Sequence, residues 1–259
     1  MTTIAILGLG EAGRLYARGL AHAGATVRGH DPHHLLGDPD VPQLATLADT
    51  LAGVDVALSL VTGQAAASVA RDALPHLPAG SVYADLNTAA PEVKQRIAGL
   101  AADRGLAMAD VAVLAPVARE GHRTPLLASG TGARELAGQL GPYGVPVDVL
   151  DGEAGEAARL RLLRSVFMKG LAALVLEGTG AARSIGAEDW LRAQMAAELG
   201  PDGANLVDRL IEGTRRHAAR REHEVRDALG ALDEAGQPAD MTRATLAWFE
   251  RVVGEQHDR

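Results

Sequence analysis

Three glycines, Gly8, Gly10 and Gly13, stand in G-x-G-x-x-G spacing within "GLGEAG", with Leu9, Glu11 and Ala12 between them. A loop of this kind works by holding a phosphate. The first glycine permits a tight turn, the second lets a pyrophosphate approach the backbone, and the third lets a helix pack closely on a strand. The free N–H groups and dipole at the start of the following helix favour an anion. Asp31 lies 18 residues beyond Gly13 (31 minus 13), where an acid meets ribose hydroxyls. A carboxylate accepts hydrogen bonds from a free 2′-hydroxyl and repels a 2′-phosphate, so NAD is favoured over NADP. His33 and His34 follow Asp31 where an arginine would grip that phosphate, and NADP stays open. The plainer alternative is a glycine-rich turn without a nucleotide. The preceding strand, the following helix and the acid weigh against it.

A second set of residues can move protons or hold anions. The chain has 25 basic residues, and only Lys94 and Lys169 are lysines. Lys169 sits in "RSVFMKGLAALVLEG", four residues after Ser165, so the two share a helix face. An apolar setting can lower a lysine pKa enough for acid/base work. The alternative is a structural lysine, paired to a carboxylate or reaching out to solvent. His217, Arg220, Arg221 and Glu224 fall at helical spacings 0, 3, 4 and 7. A histidine with two guanidiniums suits a phosphate or carboxylate, and His217 can exchange a proton near neutral pH. The alternative is a solvated helix with ion pairs such as Arg220–Glu224.

The elements that must position these groups change character along the chain. Through the first 150 residues, short apolar runs alternate with helical patterns. "TIAILGL", "ATVRGHD", "VDVALSLV", "SVYADLN", "LAMADVAVL" and "PLLASG" read as strands. "EAGRLYARGLAHAG", "QAAASVARDALPHL" and "PEVKQRIAGLAADRG" read as helices between them. The alternation predicts an α/β fold: a Rossmann-type, mostly parallel doubly wound sheet over residues 1–152. Residues 153–259 predict an all-helical second domain serving substrate and dimerisation. It opens with one long helix from Gly155 to Gly186, with a break expected near Gly178–Gly180. "ANLVDRLIEGTRRHAARREHEVRDALGAL" reads as helix without interruption. "VFMKGLAALVL" is apolar around its whole circumference, which predicts burial on all sides and a partner subunit, hence a homodimer.

Bulk properties narrow the chemistry. A net charge of −8 argues against nonspecific nucleic-acid binding, so an anionic ligand must be held by local groups. With no cysteine, disulfides, thiolate catalysis and cysteine metal sites are excluded, and no metal site is expected. No apolar run reaches membrane-span length and no basic segment precedes the first one, so a soluble, cytoplasmic protein is expected.

"GLGEAG", "SLVTGQAA", "YADLNTAAP", "DVAVLAPV", "GHRTPLLASG" and "RSVFMKGLAALVLEG" follow one another in a familiar order. In these motifs the chain resembles the β-hydroxyacid dehydrogenase and 6-phosphogluconate dehydrogenase-like superfamily. It is most similar to a branch with its own helical C-terminal domain. The resemblance covers nearly the whole chain. It implies that Val61 and Thr62 pass under the cofactor and that Asn87 borders the nicotinamide ribose. It implies a substrate loop through Ala115 and Pro116, with Arg119, His122 or Arg123 as cations, although Leu114 replaces the superfamily serine. A strand-to-strand loop with solvated charges is the alternative. The superfamily lysine position holds Arg161, and the following asparagine position holds Ser165. Arg161 can hold an anion but is a poor base, because an arginine pKa exceeds about 12. Lys169 is then a displaced base. The implied activity is that of an NAD(P)-dependent oxidoreductase. It would move a hydride between the nicotinamide and a small, polar, anionic hydroxy acid or its keto form. Imine reduction is the alternative, and nucleotide binding without turnover a third.

Overall fold

The computed structural model describes residues 1–257. The chain forms two compact units, Met1–Arg161 and Leu162–Arg259. The first is built on a seven-stranded sheet: β1 (Thr3–Leu7), β2 (Thr26–His30), β3 (Val56–Ser59), β4 (Val82–Asp85), β5 (Ala107–Val113), β6 (Leu126–Ser129) and β7 (Val147–Val149). Their order is β2-β1-β3-β4-β5-β6-β7. All neighbours are parallel except β5 and β6, where Val113 pairs with Leu126. The sheet is therefore the expected Rossmann-type α/β arrangement with one antiparallel turn-back. The topology reverses between β1 and β3, and such a switch point opens a crevice at the strands' carboxyl ends.

The central strands are apolar on both faces because helices cover both. β3 reads Val-Ala-Leu-Ser and all four residues are buried. On one face Tyr16, Ala17 and Leu20 of α1 (Glu11–His22) pack with Ile4, Ile6, Val56 and Leu58. On the other, Ala66, Ala70 and Ala73 of α3 (Ala66–Ala73) and Ile97 and Ala101 of α4 (Pro91–Ala102) cover Ala5, Leu7, Ala57 and Tyr83. α2 (Leu47–Leu51), α5 (Val117–Glu120) and α6 (Ala133–Leu140) complete the unit. β7 and α6 were not foreseen; three residues of Val-Asp-Val are too few to carry a strand pattern.

α7 (Glu156–Ser184) begins in the first unit and runs into the second. It is continuous, so the break expected near Gly178–Gly180 does not occur. Gly178 instead lets a neighbour approach: a Cβ there would lie 2.9 Å from Cε of Met195. α8 (Glu188–Glu198), α9 (Gly203–Arg216), α10 (Ala218–Glu234) and α11 (Asp240–His257) follow. Ala172, Val175 and Leu176 of α7 meet Val207, Leu210, Ile211, Val225 and Phe249. Within one chain the circumference of α7 is only partly covered, with Phe167 66% and Leu174 58% exposed. The predicted single helix through His217 is also two helices, with His217 at the joint. The Thr214 hydroxyl bonds back to the Leu210 carbonyl at 2.6 Å, a contact that bends helices. No described helix is long and apolar enough to cross a membrane.

Candidate functional site

Each glycine of the first loop meets a different demand. Gly8 has φ +95°, and a Cβ there would lie 2.6 Å from the Leu60 carbonyl oxygen and 2.9 Å from Cγ1 of Val61. Gly13 has no room for a side chain, because its Cβ would fall 1.9 Å from the Gly8 carbonyl oxygen. Gly10 differs: its φ is −64°, open to any residue, and nothing lies within 4 Å of a Cβ built on it. Within the chain, neither conformation nor packing requires glycine at position 10. The backbone there is left open to a ligand. Gly10 is also the N-cap of α1 and carries no side-chain cap, so the first amides of α1, from Glu11 and Ala12 onward, have no capping side chain.

Asp31, just past β2, is tied to this loop. Its Oδ2 accepts from the Leu9 amide at 2.7 Å, and its Oδ1 from the amides of His33 at 2.8 Å and His34 at 3.1 Å. The His34 ring Nδ1 is 3.1 Å from Oδ2. Burial pushes the Asp31 carboxyl up, but these donors outweigh it and hold the group below the usual carboxylate range. Four contacts fill the roughly four lone-pair directions of a carboxylate. Only the His34 ring, 55% exposed, can leave without breaking backbone structure.

Val61 and Thr62 follow β3, beside Gly8. The Thr62 hydroxyl accepts from the Ala65 amide at 3.3 Å, and Gly63 lies directly against the Thr88 carbonyl. Asn87, after β4, is buried; its Nδ2 donates to Oγ of Ser59 at 2.9 Å and its amide to Oδ1 of Asp85 at 2.9 Å. Asn87 Oδ1 and Asp85 Oδ2 are buried and accept no hydrogen bond among the described residues. A buried acceptor without a donor costs about 1–3 kcal/mol. Open space over Gly10 and orphaned acceptors at the carboxyl edge of β4 fit a dinucleotide rich in hydroxyl and amide donors.

Sequence reasoning missed two residues here. Arg14, in the first turn of α1, folds back onto the loop, with Nε 3.3 Å from the Gly10 carbonyl oxygen and Nη2 3.4 Å from that of Leu9. A cation in a first helical turn opposes the helix dipole unless an anion joins it. Lys94 is the other: it is 1% exposed, while Lys169 keeps 18% of its side-chain surface. Its placement was legible: Pro91, Lys94, Ile97 and Ala101 form the buried stripe of α4.

The loop between β5 and β6 lies at the same carboxyl edge. Leu114 and Ala115 are half-buried, and Pro116 and Arg123 are exposed. His122 is packed against α1: a Cβ on Gly19 would fall 2.1 Å from its Nδ1, and its Nε2 lies 3.1 Å from the Tyr143 carbonyl oxygen. Burial lowers the His122 pKa, with the Tyr143 contact opposing and Arg123 and His22 adding to the shift. These contacts account for His122 without a ligand.

In the second unit, Lys169 Nζ lies 2.5 Å from a carboxylate oxygen of Glu224, with the two side chains 18% and 17% exposed. The two clusters singled out in the sequence thus meet at this pair. Arg221 turns away, donating to Oγ1 of Thr214 at 2.5 Å; burial lowers its pKa, against the pull of the Glu224 carboxylate. Arg220 is exposed. His217 caps α10, its carbonyl accepting from the Arg221 amide at 3.0 Å. Arg161 and Ser165 are half-buried, one turn apart on α7. No cluster of metal-binding side chains occurs among the described residues.

Comparison with known proteins agrees with this geometry. Residues 3–134 match the NAD binding domain of 6-phosphogluconate dehydrogenase, and residues 182–252 match a domain of unknown function, DUF1932. A conserved hypothetical protein from Sinorhizobium meliloti 1021 is 31% identical, with TM-score 0.76 over 96% of this chain and 88% of that one. Two more distant structures share the fold. A 3-hydroxyisobutyrate dehydrogenase from Mycobacterium tuberculosis with L-serine is 18% identical, with TM-score 0.82 over 98% of this chain and 94% of that one. A reductive aminase from Aspergillus terreus with NADPH is 20% identical, with TM-score 0.67 over 98% and 94%. With the family match spanning half of its length, and its glycine loop built as a dinucleotide cradle, the chain belongs to the family of the 6-phosphogluconate dehydrogenase NAD binding domain.

Proposed function

We propose that the protein is a nicotinamide-dependent oxidoreductase acting on a small, polar, anionic hydroxy acid or its keto form. The observation that carries this reading is the Gly8–Gly13 loop at the start of α1, with open space over Gly10 beside the uncapped first amides of the helix. The bound nicotinamide supplies or accepts the hydride. Gly8, Gly10 and Gly13, with the amides of Leu9, Glu11 and Ala12, cradle the pyrophosphate, and Arg14 adds a cation. Asp31 takes the adenosine ribose hydroxyls once the His34 ring moves aside, which favours NAD. With His34 protonated and turned outward, a 2′-phosphate finds a partner, so NADP is the competing cofactor. Val61, Thr62 and Asn87 border the nicotinamide end.

Lys169 is the proposed proton donor in the direction of reduction. Glu224 beside it favours the ammonium, the form that has a proton to give. His217 is the other group that can exchange a proton near neutral pH. Ser165 shares the Lys169 face of α7, and Arg161 holds substrate charge. Ala115 and Pro116 offer backbone to the substrate, with Arg123, Arg220 and Arg221 as further cations. His122, engaged with Gly19 and Tyr143, is the least available of the set.

Two departures favour imine reduction as the second reading. Leu114 removes a hydroxyl from the substrate loop, and Arg161 replaces the superfamily base. An imine needs a proton donor and no hydroxyl base. The reductive aminase among the structural relatives is consistent with this reading.

The second unit is proposed to form a homodimer through α7. Leu163, Phe167 and Leu174 are 51%, 66% and 58% exposed. At about 100° per residue they fall within roughly 40° of one another, a single apolar stripe. Incubating the protein with NADH or NADPH and pools of keto acids, aldehydes and imines tests the assignment. Oxidation with keto acids supports the first reading, and oxidation with imines the second. Binding without oxidation contradicts both and leaves a nucleotide-binding protein.

A further inference from the structure

The most buried cation in the first unit has no part in the chemistry above. Lys94 Nζ donates to the Asp85 carbonyl at 2.8 Å and to Oδ1 of Asp85 at 2.8 Å, and lies 3.2 Å from Oδ1 of Asp110. Lys94 is 1% exposed and both aspartates 0%. Each aspartate has a second task. Asp85 Oδ1 holds the amide of Asn87. Asp110 Oδ2 accepts from the amides of Gly155 at 2.9 Å and Ala158 at 3.0 Å, and Oγ of Ser129 accepts from that of Ala157 at 3.1 Å. Those amides belong to the N-terminal turn of α7, so a carboxylate on β5 serves as its cap.

A core position needs no such arrangement for stability. Well-packed apolar residues commonly replace buried ion pairs at no loss. Here one ammonium bridges two carboxylates reaching in opposite directions: one to the loop at Asn87, the other to the helix carrying Arg161, Ser165 and Lys169. Asn87 Oδ1 and Asp85 Oδ2 lack donors at one end of this chain of contacts. At the other, Asp110 Oδ1 meets only the Lys94 ammonium, while Asp110 Oδ2 accepts from two amides of α7.

We infer that Lys94 is a positioning residue that couples occupancy of the Asn87 edge to the anchoring of α7. A dinucleotide donor reaching Asn87 fixes its amide, hence the Asp85 carboxylate, hence the Lys94 ammonium and the Asp110 cap. The inference rests on the cofactor reading above.

Amide hydrogen exchange tests it, with NADH added to the full-length protein. In the wild type, NADH slows exchange at residues 8–13. It also slows the Gly155, Ala157 and Ala158 amides by about tenfold, within the range of ordinary coupling between sites. In Lys94→Met, which removes the bridge and leaves both aspartates in place, protection at residues 8–13 remains and the response at Gly155–Ala158 is lost. Should Lys94→Met not fold, Lys94→Gln gives the same comparison. A purely structural lysine lowers stability without changing which amides respond to NADH. Protection confined to residues 8–13 in the wild type overturns the coupling alone, as does an unchanged α7 response in the variants. No protection anywhere overturns the cofactor reading and the coupling with it.

Discussion

Lys169 on α7 and Glu224 on α10 form an ion pair of 2.5 Å across the helical unit, with both side chains less than one-fifth exposed. The pair joins two clusters that lie 55 residues apart (224 minus 169). The pair gives Lys169 a structural task, which mutation separates from the proposed chemical one. Lys169→Met leaves the Glu224 carboxylate without this countercharge and is expected to cost about 2 kcal/mol. Lys169→Met/Glu224→Gln is expected to recover most of that loss. If Lys169 donates the proton, neither variant turns over, although both bind NADH like the wild type. Recovery of turnover in the double variant removes Lys169 from the chemistry, and His217→Gln becomes the decisive variant.

Asp31 predicts an acid limit for the nucleotide loop. Its folded-state pKa is lowered, so its contribution to stability is fully present above the unfolded carboxylate value, about 3.9. That contribution is lost as pH falls through the lowered folded value. The difference in Tm between wild type and Asp31→Asn is expected to be constant near neutrality and to shrink in the acid range. A difference that grows on acidification contradicts the assignment. In His34→Ala, which clears one lone-pair direction on Asp31, NAD affinity is expected to rise a few-fold and NADP affinity to fall. Equal changes for both cofactors remove His34 from the ribose site.

The apolar stripe of α7 predicts self-association. Wild type is expected to sediment as a dimer at micromolar concentration, and Phe167→Glu as a monomer that keeps its helical content. A monomeric wild type contradicts the interface.

The sheet and the long helix were legible because their signals are strong. β1, β3 and β5 are apolar runs bounded by turns, and the Gly8–Gly13 spacing has few other uses. What was illegible depends on contacts distant in sequence. Nothing local shows that Asp110 caps α7 45 residues later, or that Gly178 makes room for Met195. The joint at His217 has no proline to mark it, and the helical spacing of its polar residues runs straight through it. The apolar circumference of α7 does not say which face one chain leaves uncovered. Lys94 sits on the buried stripe of α4, but its partners Asp85 and Asp110 lie on two separate strands and nothing local pairs them with it.

The central claim is that a nicotinamide dinucleotide lies against Gly10, and a paired measurement on Gly10→Ala tests it most directly: NADH binding by fluorescence titration, with Tm recorded on the same sample. The added methyl meets nothing in the protein and the backbone is in an ordinary conformation, so Tm is expected to change by the equivalent of less than about 1 kcal/mol. NADH affinity is expected to fall at least about tenfold, the factor that 1.4 kcal/mol of steric cost produces. Gly13→Ala, whose methyl would overlap the Gly8 carbonyl, is the control that loses stability itself. A Gly10→Ala protein that keeps its Tm and binds NADH as tightly as the wild type contradicts the account.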